Sequence, residues 1–569
     1  MNSSSQRWDR ETASVAALAT CVSVVAFLIT YRSGAVLLYG DAVAHINIAR
    51  RVFDSQTPGL LQLGTVWLPL PHLLMVPLVA SNWAWQSGIG GALPSMAAYV
   101  VGVVGLFRLV RGAASHSTRL QPQASAVAAF AAAIYALNPN LLYLQSTAMT
   151  EPLYLALFIW TVVHFAEFAE ERRTNGWTGE ARRSLWKCGA VLAGACLTRY
   201  DGWFLSAAVV ALVLSIAWRG DGARALRSIA VFVVLAGAAP LLWFAYNAAV
   251  YGNALEFANG PYSARAIEKR TAVPGFPPHP GTHNLRAAGL YFLKSAEFSV
   301  AEGNWQRVWI LLALLGAGFV VFVDRRLGPL LLVLIPIPFY MLSVAYGGVP
   351  IFTPTWWPFS YYNIRYGTQL LPALAVFVAL AAFYCVSFIK QPAGKLVAVV
   401  TAVALVIASY ATVWRAQPVC FREAWINSRT RLQLESSLAD HLQRLPPNAT
   451  LLMYLGEHVG ALQDAGIPLK RTINEGNHRV WRQPSDPEGL WERALKDPSK
   501  FADYVVAFDG DPVALAVAGH GLQAVAIIAV NGQSKATIFQ TPRIFSRPNS
   551  VTTRVNGGPW TTVGMLIFR

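Results

Sequence analysis

Residues 66–80 read VWLPLPHLLMVPLVA, and their interpretation decides the fold. The run is apolar enough to enter a bilayer. Pro69, Pro71 and Pro77, with His72 among them, make it a poor straight helix. Counting it as a membrane span would also throw every later arginine-rich loop to the opposite face. The segment is therefore expected to lie on the membrane surface. Residues from about 32 to 90 then form one large, membrane-hugging outer loop.

Outward from that segment, long apolar runs recur in both directions. Spans are predicted at about 12–31, 91–110, 123–139, 150–168, 186–199, 203–218, 228–247, 308–323, 328–346, 368–388 and 395–414, about eleven in all. The first follows Arg7 and Arg10 without a convincing cleavage site and reads as an uncleaved span. Basic residues fall in alternate short loops. They are Arg108, Arg111 and Arg119, then Arg172, Arg173, Arg182, Arg183 and Lys187. Arg219, Arg224 and Arg227, Arg325 and Arg326, and Lys390 and Lys395 follow. With the N-terminus inside, all of these are cytoplasmic. A second large outer loop covers about 248–306, and its centre, AVPGFPPHPGTHN, is expected to be mobile. Residues 1–415 thus form the membrane domain.

From about Pro418 the composition becomes that of a soluble domain, 416–569, placed outside. Apolar stretches ATLLMYL, DYVVAF and LQAVAIIAV alternate with helical ones at 421–444 and 511–519, an α/β pattern. VNGQ before SKATIFQ predicts a terminal hairpin. The fold class is a polytopic α-helical membrane protein with a C-terminal soluble α/β domain.

Composition agrees. The 569 residues are 55% hydrophobic and 13% charged, and mean hydropathy is +0.42. Soluble domains carry about 25% charged residues. The net charge of +16 reflects cytoplasmic loops, and no nucleic-acid partner is called for. Of five cysteines, four lie in apolar runs, so no disulfide framework is expected.

Four polar groups gather at the outer ends of spans. The first is Tyr39-Gly40-Asp41-Ala42-Val43-Ala44-His45, where Asp41 and His45 share a helix face. Asp41 is either a general base at the boundary or a helix cap. The second contains Asn138, Asn140, Gln145 and Glu151; Glu151 is either functional or a first-turn acid. The third, Thr198-Arg199-Tyr200-Asp201-Gly202-Trp203, sits between two short spans, either a tight turn with its own ion pair or a functional strip. The fourth is Tyr361-Tyr362-Asn363-Ile364-Arg365-Tyr366, which reads as an aromatic belt except for an arginine on the outer face. Together these residues suit holding a lipid-linked phosphate with arginines while a carboxylate accepts a proton. They would also suit a transporter vestibule for lipid-linked intermediates. His279 and His283 lie in a proline-rich loop without further ligands.

The order of YGDAVAHINIARRVF, PLPHLLMVPL, NPNLLYLQSTAMTEPLY, LTRYDGWFL and NIRYGTQLLPAL resembles the GT-C superfamily of polyprenyl-phosphate-sugar-dependent glycosyltransferases. Protein O-mannosyltransferases and the aminoarabinose transferase of lipid A are the most similar by pattern. The resemblance covers about 1–415. It implies an inverting transfer of a monosaccharide from a polyprenyl-phosphate donor to a glycan, lipid or protein hydroxyl. It maps the base onto Asp41 and the substrate cavity onto His45, Glu151, Arg199, Tyr200, Asp201, Tyr362, Arg365 and Tyr366. A divalent metal is left open, since no ligand spacing demands one. The expected location is the bacterial inner membrane with the C-terminal domain in the periplasm, the endoplasmic reticulum being the alternative. Ala42 follows Asp41 where O-mannosyltransferases carry a second acid. Trp356-Trp357 is followed by Pro358, unlike the oligosaccharyltransferase signature, which argues against transfer to asparagine.

Overall fold

In a bilayer, main-chain N–H and C=O groups have no water to bond, so each apolar run must satisfy them within a helix. The computed structural model, which describes residues 9–217, 223–272, 275, 277–478 and 487–543, follows that rule. Among the described residues eight helices are long and apolar enough to cross a membrane. The chain is an integral membrane protein. Each of the eleven expected spans coincides with a helical segment. Three do not qualify as spans by length and apolarity: Ala124–Ala136, with 13 residues, Gly179–Cys196, which carries charge in its first turns, and the shorter apolar Asp201–Ala217.

Lipid offers no hydrophobic drive between helices, so small residues set close approaches. A Cβ on Gly316 would lie 1.9 Å from the Phe377 carbonyl oxygen, so only glycine lets the helices Trp305–Gly318 and Leu371–Phe388 meet. Gly367 serves similarly against Ser295, where an added Cβ would come within 2.2 Å of the main chain.

The basic loops converge at one end of the bundle. Arg111 pairs with Asp9 at 2.7 Å, Arg326 donates to the His116 carbonyl at 3.3 Å, and His116 faces Glu170 at 3.6 Å. Arg219 lies outside the described residues.

At the other end, the expected first outer loop is a set of short helices. Residues 66–80 contain the six-residue helix Leu70–Met75 and the 3-10 turn Leu78–Ala80. Pro69 and Pro77 stand immediately before them, so neither becomes a span. Arg50 ties this loop together. Its guanidinium donates to the carbonyls of Val79 (2.7 Å) and Ala80 (3.0 Å), to Asn82 (2.7 Å) and to Asp54 (2.7 Å).

The second expected loop, 248–306, carries helical structure. It contains a 16-residue helix, Leu285–Val300, whose Ala288, Phe292, Ser295, Ala296 and Ser299 are buried. Its apolar face is interrupted by Lys294 and two serines, which weakens its helical signal in the sequence. Of its proline-rich centre, residues 273, 274 and 276 lie outside the described residues. His279 is buried, with one ring nitrogen on the Ile351 carbonyl (3.0 Å) and the other accepting from Gly281 (3.0 Å), so neither is offered to a metal.

The last span, Pro392–Ala416, continues after Gln417-Pro418 into the helix Val419–Leu442. Beyond it lies a five-stranded sheet of β1 (Leu451–Met453), β2 (Thr472–Ile473), β3 (Tyr504–Phe508), β4 (Gln523–Ile528) and β5 (Ala536–Gln540). The order is β2-β1-β3-β5-β4. β2, β1 and β3 are parallel, and β5 and β4 are antiparallel. The hairpin expected at VNGQ joins β4 to β5, with Gly532 at φ 82° supplying the left-handed turn residue. Residues 544–569 of the expected domain lie outside the described residues.

Candidate active site at the polar end of the bundle

Four stretches far apart in sequence meet at the end opposite the basic loops. The helix Gly40–Arg51 begins with Tyr39 as its cap residue, and no side chain caps it. Asp41 therefore does not serve as a cap. Its carboxylate instead accepts from Arg365 Nη2 at 2.5 Å. Arg365 lies in the 3-10 segment Ile364–Leu370, entered through Asn363 at φ 55°. Its Nε faces Glu151 Oε1 at 3.3 Å.

Glu151 opens the helix Glu151–Asn175 and is 1% exposed. The same Oε1 lies 3.3 Å from Arg199 Nη1, so one carboxylate oxygen bridges both guanidinium groups. Its Oε2 is buried without a partner. Arg199 also bonds Asp201 (3.2 Å), the Tyr340 hydroxyl (2.9 Å) and Thr150 (3.3 Å). The Tyr366 ring lies against both cations, 5.1 Å from Arg365 and 5.2 Å from Arg199. Asp41, Glu151, Arg199, Asp201, Arg365 and Tyr366 are thus brought into one network.

The other three sequence candidates point elsewhere. His45 Nδ1 meets His72 Nε2 at 2.9 Å, beside Trp67. Burial pushes His45 down to about 3 and His72 well below its ordinary value, so both rings are neutral. The i,i+4 relation of Asp41 and His45 produces no bond because this imidazole pair claims the ring. Tyr200 donates to the Val66 carbonyl at 3.0 Å and stacks on Phe257, pinning the surface loop. Tyr362 is 43% exposed and packs on Phe352, next to the network without bonding into it.

Sequence reasoning missed Glu423. It sits on Val419–Leu442, is 1% exposed, and reaches Arg365 Nη1 at 3.5 Å. It also accepts from the main-chain N–H groups of Ile364 (3.2 Å) and Arg365 (3.3 Å) and from the Tyr39 hydroxyl (2.8 Å). Its only signal was a charged residue on the buried face of an amphipathic helix. Tyr39, whose ring lies 5.1 Å from the Arg365 guanidinium, was read as part of a motif and not as a site residue.

Four carboxylates (Asp41, Glu151, Asp201, Glu423) surround two guanidinium groups. Buried charges require such partners, and losing one partner from a buried pair costs about 3–5 kcal/mol. Asp41 is the exception in burial, with its side chain 38% exposed. It is the member of the network that can change partner at least cost. No group of three His, Cys, Asp or Glu side chains suited to a metal occurs among the described residues. Apart from Glu151, the polar residues of the second sequence group are structural. Asn138 caps Pro139–Leu144 and, with Asn140, bonds the Ser299 carbonyl, while Gln145 bonds Ser23.

Spanning helices, short surface helices carrying the polar network, and a small sheet after the last span make up a GT-C-like fold. Among solved structures the chain is similar to ArnT from Cupriavidus metallidurans bound to undecaprenyl phosphate. The TM-score is 0.52 at 13% identity, over 92% of this chain and 97% of that one. It also matches the oligosaccharyltransferase AglB from Archaeoglobus fulgidus, with TM-score 0.49 at 13% identity, over 92% of this chain and 74% of that one. At these identities the likeness is one of fold. No protein-family model and no curated protein sequence matches the chain.

Proposed function

We propose that the protein transfers a monosaccharide from a polyprenyl-phosphate donor to an acceptor hydroxyl at the outer face of a bacterial inner membrane, with the C-terminal domain in the periplasm. The observation that carries this reading is the chain Asp41–Arg365–Glu151–Arg199, every link 3.3 Å or shorter. It sets a partly exposed carboxylate on a guanidinium that is itself braced from behind. ArnT, which shares the fold, is bound to undecaprenyl phosphate.

The donor phosphate takes the place of Asp41 on Arg365 Nη2, with Arg199 adding positive potential behind it. The released Asp41 carboxylate takes the proton of the acceptor hydroxyl. The hydroxyl oxygen forms a bond to the anomeric carbon as the bond from that carbon to the phosphate oxygen breaks. The electron pair goes to that oxygen. Polyprenyl phosphate leaves, Asp41 holds the proton, and the anomeric configuration inverts. Glu151, Asp201 and Glu423 keep the two cations oriented and touch no reacting atom.

The test is purified protein given a labelled polyprenyl-phosphate sugar and a membrane lipid and glycan extract. A covalently labelled product supports the reading. Movement of intact donor across a vesicle without any product sinks it in favour of lipid-linked transport.

A further inference from the structure

One cavity lies away from the arginines. It has a volume of about 330 Å³ and lies between the helix Gly40–Arg51, the loop 61–67, the chain around 250–267 and the segments that follow β1 and β2. None of Arg365, Arg199, Glu151, Asp201 or Glu423 lines it. One wall is formed by Gly40, Val43, Ala44, Asn47, Ile48 and Arg51. At 100° per residue these six form a single helix stripe. Asp41 follows Gly40 on the first turn, at the edge of that stripe. The helix therefore has the cavity on one side and the Arg365 network on another, with Asp41 between them.

From this geometry we infer that the cavity is an acceptor site for a neutral, polyhydroxylated group carried on an apolar body. This rests on the transferase reading. Much of the wall is apolar, contributed by Val43, Ile48, Leu63, Trp67, Val250 and Ile267. Its unpartnered polar atoms include two acceptors, Gln62 Oε1 and Glu435 Oε1, and one donor, Arg51 Nε. Gln62 is 2% exposed. Its amide nitrogen is committed to Thr57 and to the Gly476 carbonyl, at 2.8–3.1 Å, which leaves Oε1 without a donor. Glu435 is 4% exposed; Arg431 holds its Oε2 at 2.5 Å, and its Oε1 has no partner. A buried acceptor without a donor is destabilising, and a ligand hydroxyl relieves that penalty. Charge disfavours an anion. The carboxyls of Glu435, Glu457 and Glu475 face the guanidinium groups of Arg51 and Arg431, and burial pushes Glu435 up to about 7. Arg431 is further occupied by the Leu37 and Leu38 carbonyls, and Arg51 lies 3.9 Å from Glu475. The volume is at the small end of ligand pockets and fits one sugar with a short apolar group. The donor's phosphate belongs at the arginines and the acceptor's hydroxyls here, so the nucleophile meets Asp41 from the Gly40 end.

The test uses the full chain in lipid nanodiscs with three probes: phenyl β-glucoside, its anionic counterpart phenyl β-glucuronide, and polyprenyl phosphate. The glucoside is expected to bind about 5-fold or more tightly than the glucuronide. Ala44→Phe, which fills the cavity, is expected to weaken glucoside binding at least about 10-fold while polyprenyl phosphate affinity stays within about 2-fold. Gln62→Ala is expected to weaken glucoside binding about 3–10-fold. The assignment is overturned if the wild type binds no glucoside, if the glucuronide is preferred, or if Ala44→Phe reduces only polyprenyl phosphate binding. Should Ala44→Phe lose both ligands, Gln62→Ala decides: a selective loss of glucoside upholds the site, and no change overturns it. Absence of polyprenyl phosphate binding in the wild type, with glucoside binding intact, instead refutes the transferase reading.

Discussion

At the scale of single residues, the proposed function makes the bond between Asp41 and Arg365 tie donor binding to base activation. In the resting site the carboxylate occupies the guanidinium edge that a phosphate needs. Two consequences oppose one another in Asp41→Asn. Turnover is expected to fall about 10²–10⁴-fold, because the acceptor proton has no base. Affinity for polyprenyl phosphate is expected to rise several-fold, because the phosphate no longer competes with a carboxylate. Steady-state transfer and equilibrium lipid binding measure the two separately. Weaker lipid binding in Asp41→Asn would contradict the exchange. His45 and Tyr200 illustrate the opposite case. Both stand in the right stretches, yet each is held by partners unrelated to the arginines.

At the scale of elements, the helix Val419–Leu442 reaches back into the network through Glu423. Glu423→Gln keeps the size of the side chain but places an amide NH₂ or a weaker acceptor against three N–H donors. Hydrogen bonds to charged groups contribute about 1.5–3 kcal/mol, so kcat should fall roughly 10–100-fold. Donor KM is expected to change much less, since Arg365 remains present and is only less well aimed. Unchanged kcat would show that Glu423 does not position Arg365. The contact between Leu285–Val300 and the Arg365 segment makes a second prediction. Gly367→Ala sets a methyl group against the Ser295 main chain and should destabilise the protein by about 1–3 kcal/mol. Thermal unfolding in detergent would register this as a lowered Tm.

At the scale of the whole molecule, the surface loop and the C-terminal region close over the bundle through buried polar bonds. Asn47 donates to Gln463 at 2.7 Å, Asp54 accepts from the Lys470 main chain at 3.1 Å, and Asn477 bonds Ser55 at 3.2 Å. The neutral His45–His72 pair under this cover makes stability depend on pH. The folded value of His45 is about 3, below the 6.5 of an unfolded histidine. The unfolded chain therefore binds more protons between those values, and stability rises with pH across that window. Acidification from pH 7.5 to 5 should cost about 2 kcal/mol from His45 alone. Melting curves should show a lower Tm at pH 5, with a smaller drop in a His45→Asn, His72→Asn double variant. An equal drop in that variant would assign the effect to other groups.

Sequence alone determined the elements that depend on local composition and periodicity. Spans such as Arg10–Arg32 and Glu151–Asn175, the proline-broken segment 66–80, and the β4–β5 hairpin all follow from apolar length, proline placement and turn chemistry. Leu285–Val300 escaped because its apolar face is short and interrupted, and because a buried helix between long spans resembles loop in composition. Which polar residues meet was decided only by the tertiary structure. Asp41 and Arg365 are 324 positions apart, and Glu423 comes from beyond the last span. Residues so distant leave no periodic or spacing signal. Their pairing arises when the packed helices bring charges together where leaving any of them unpartnered would cost more than joining them.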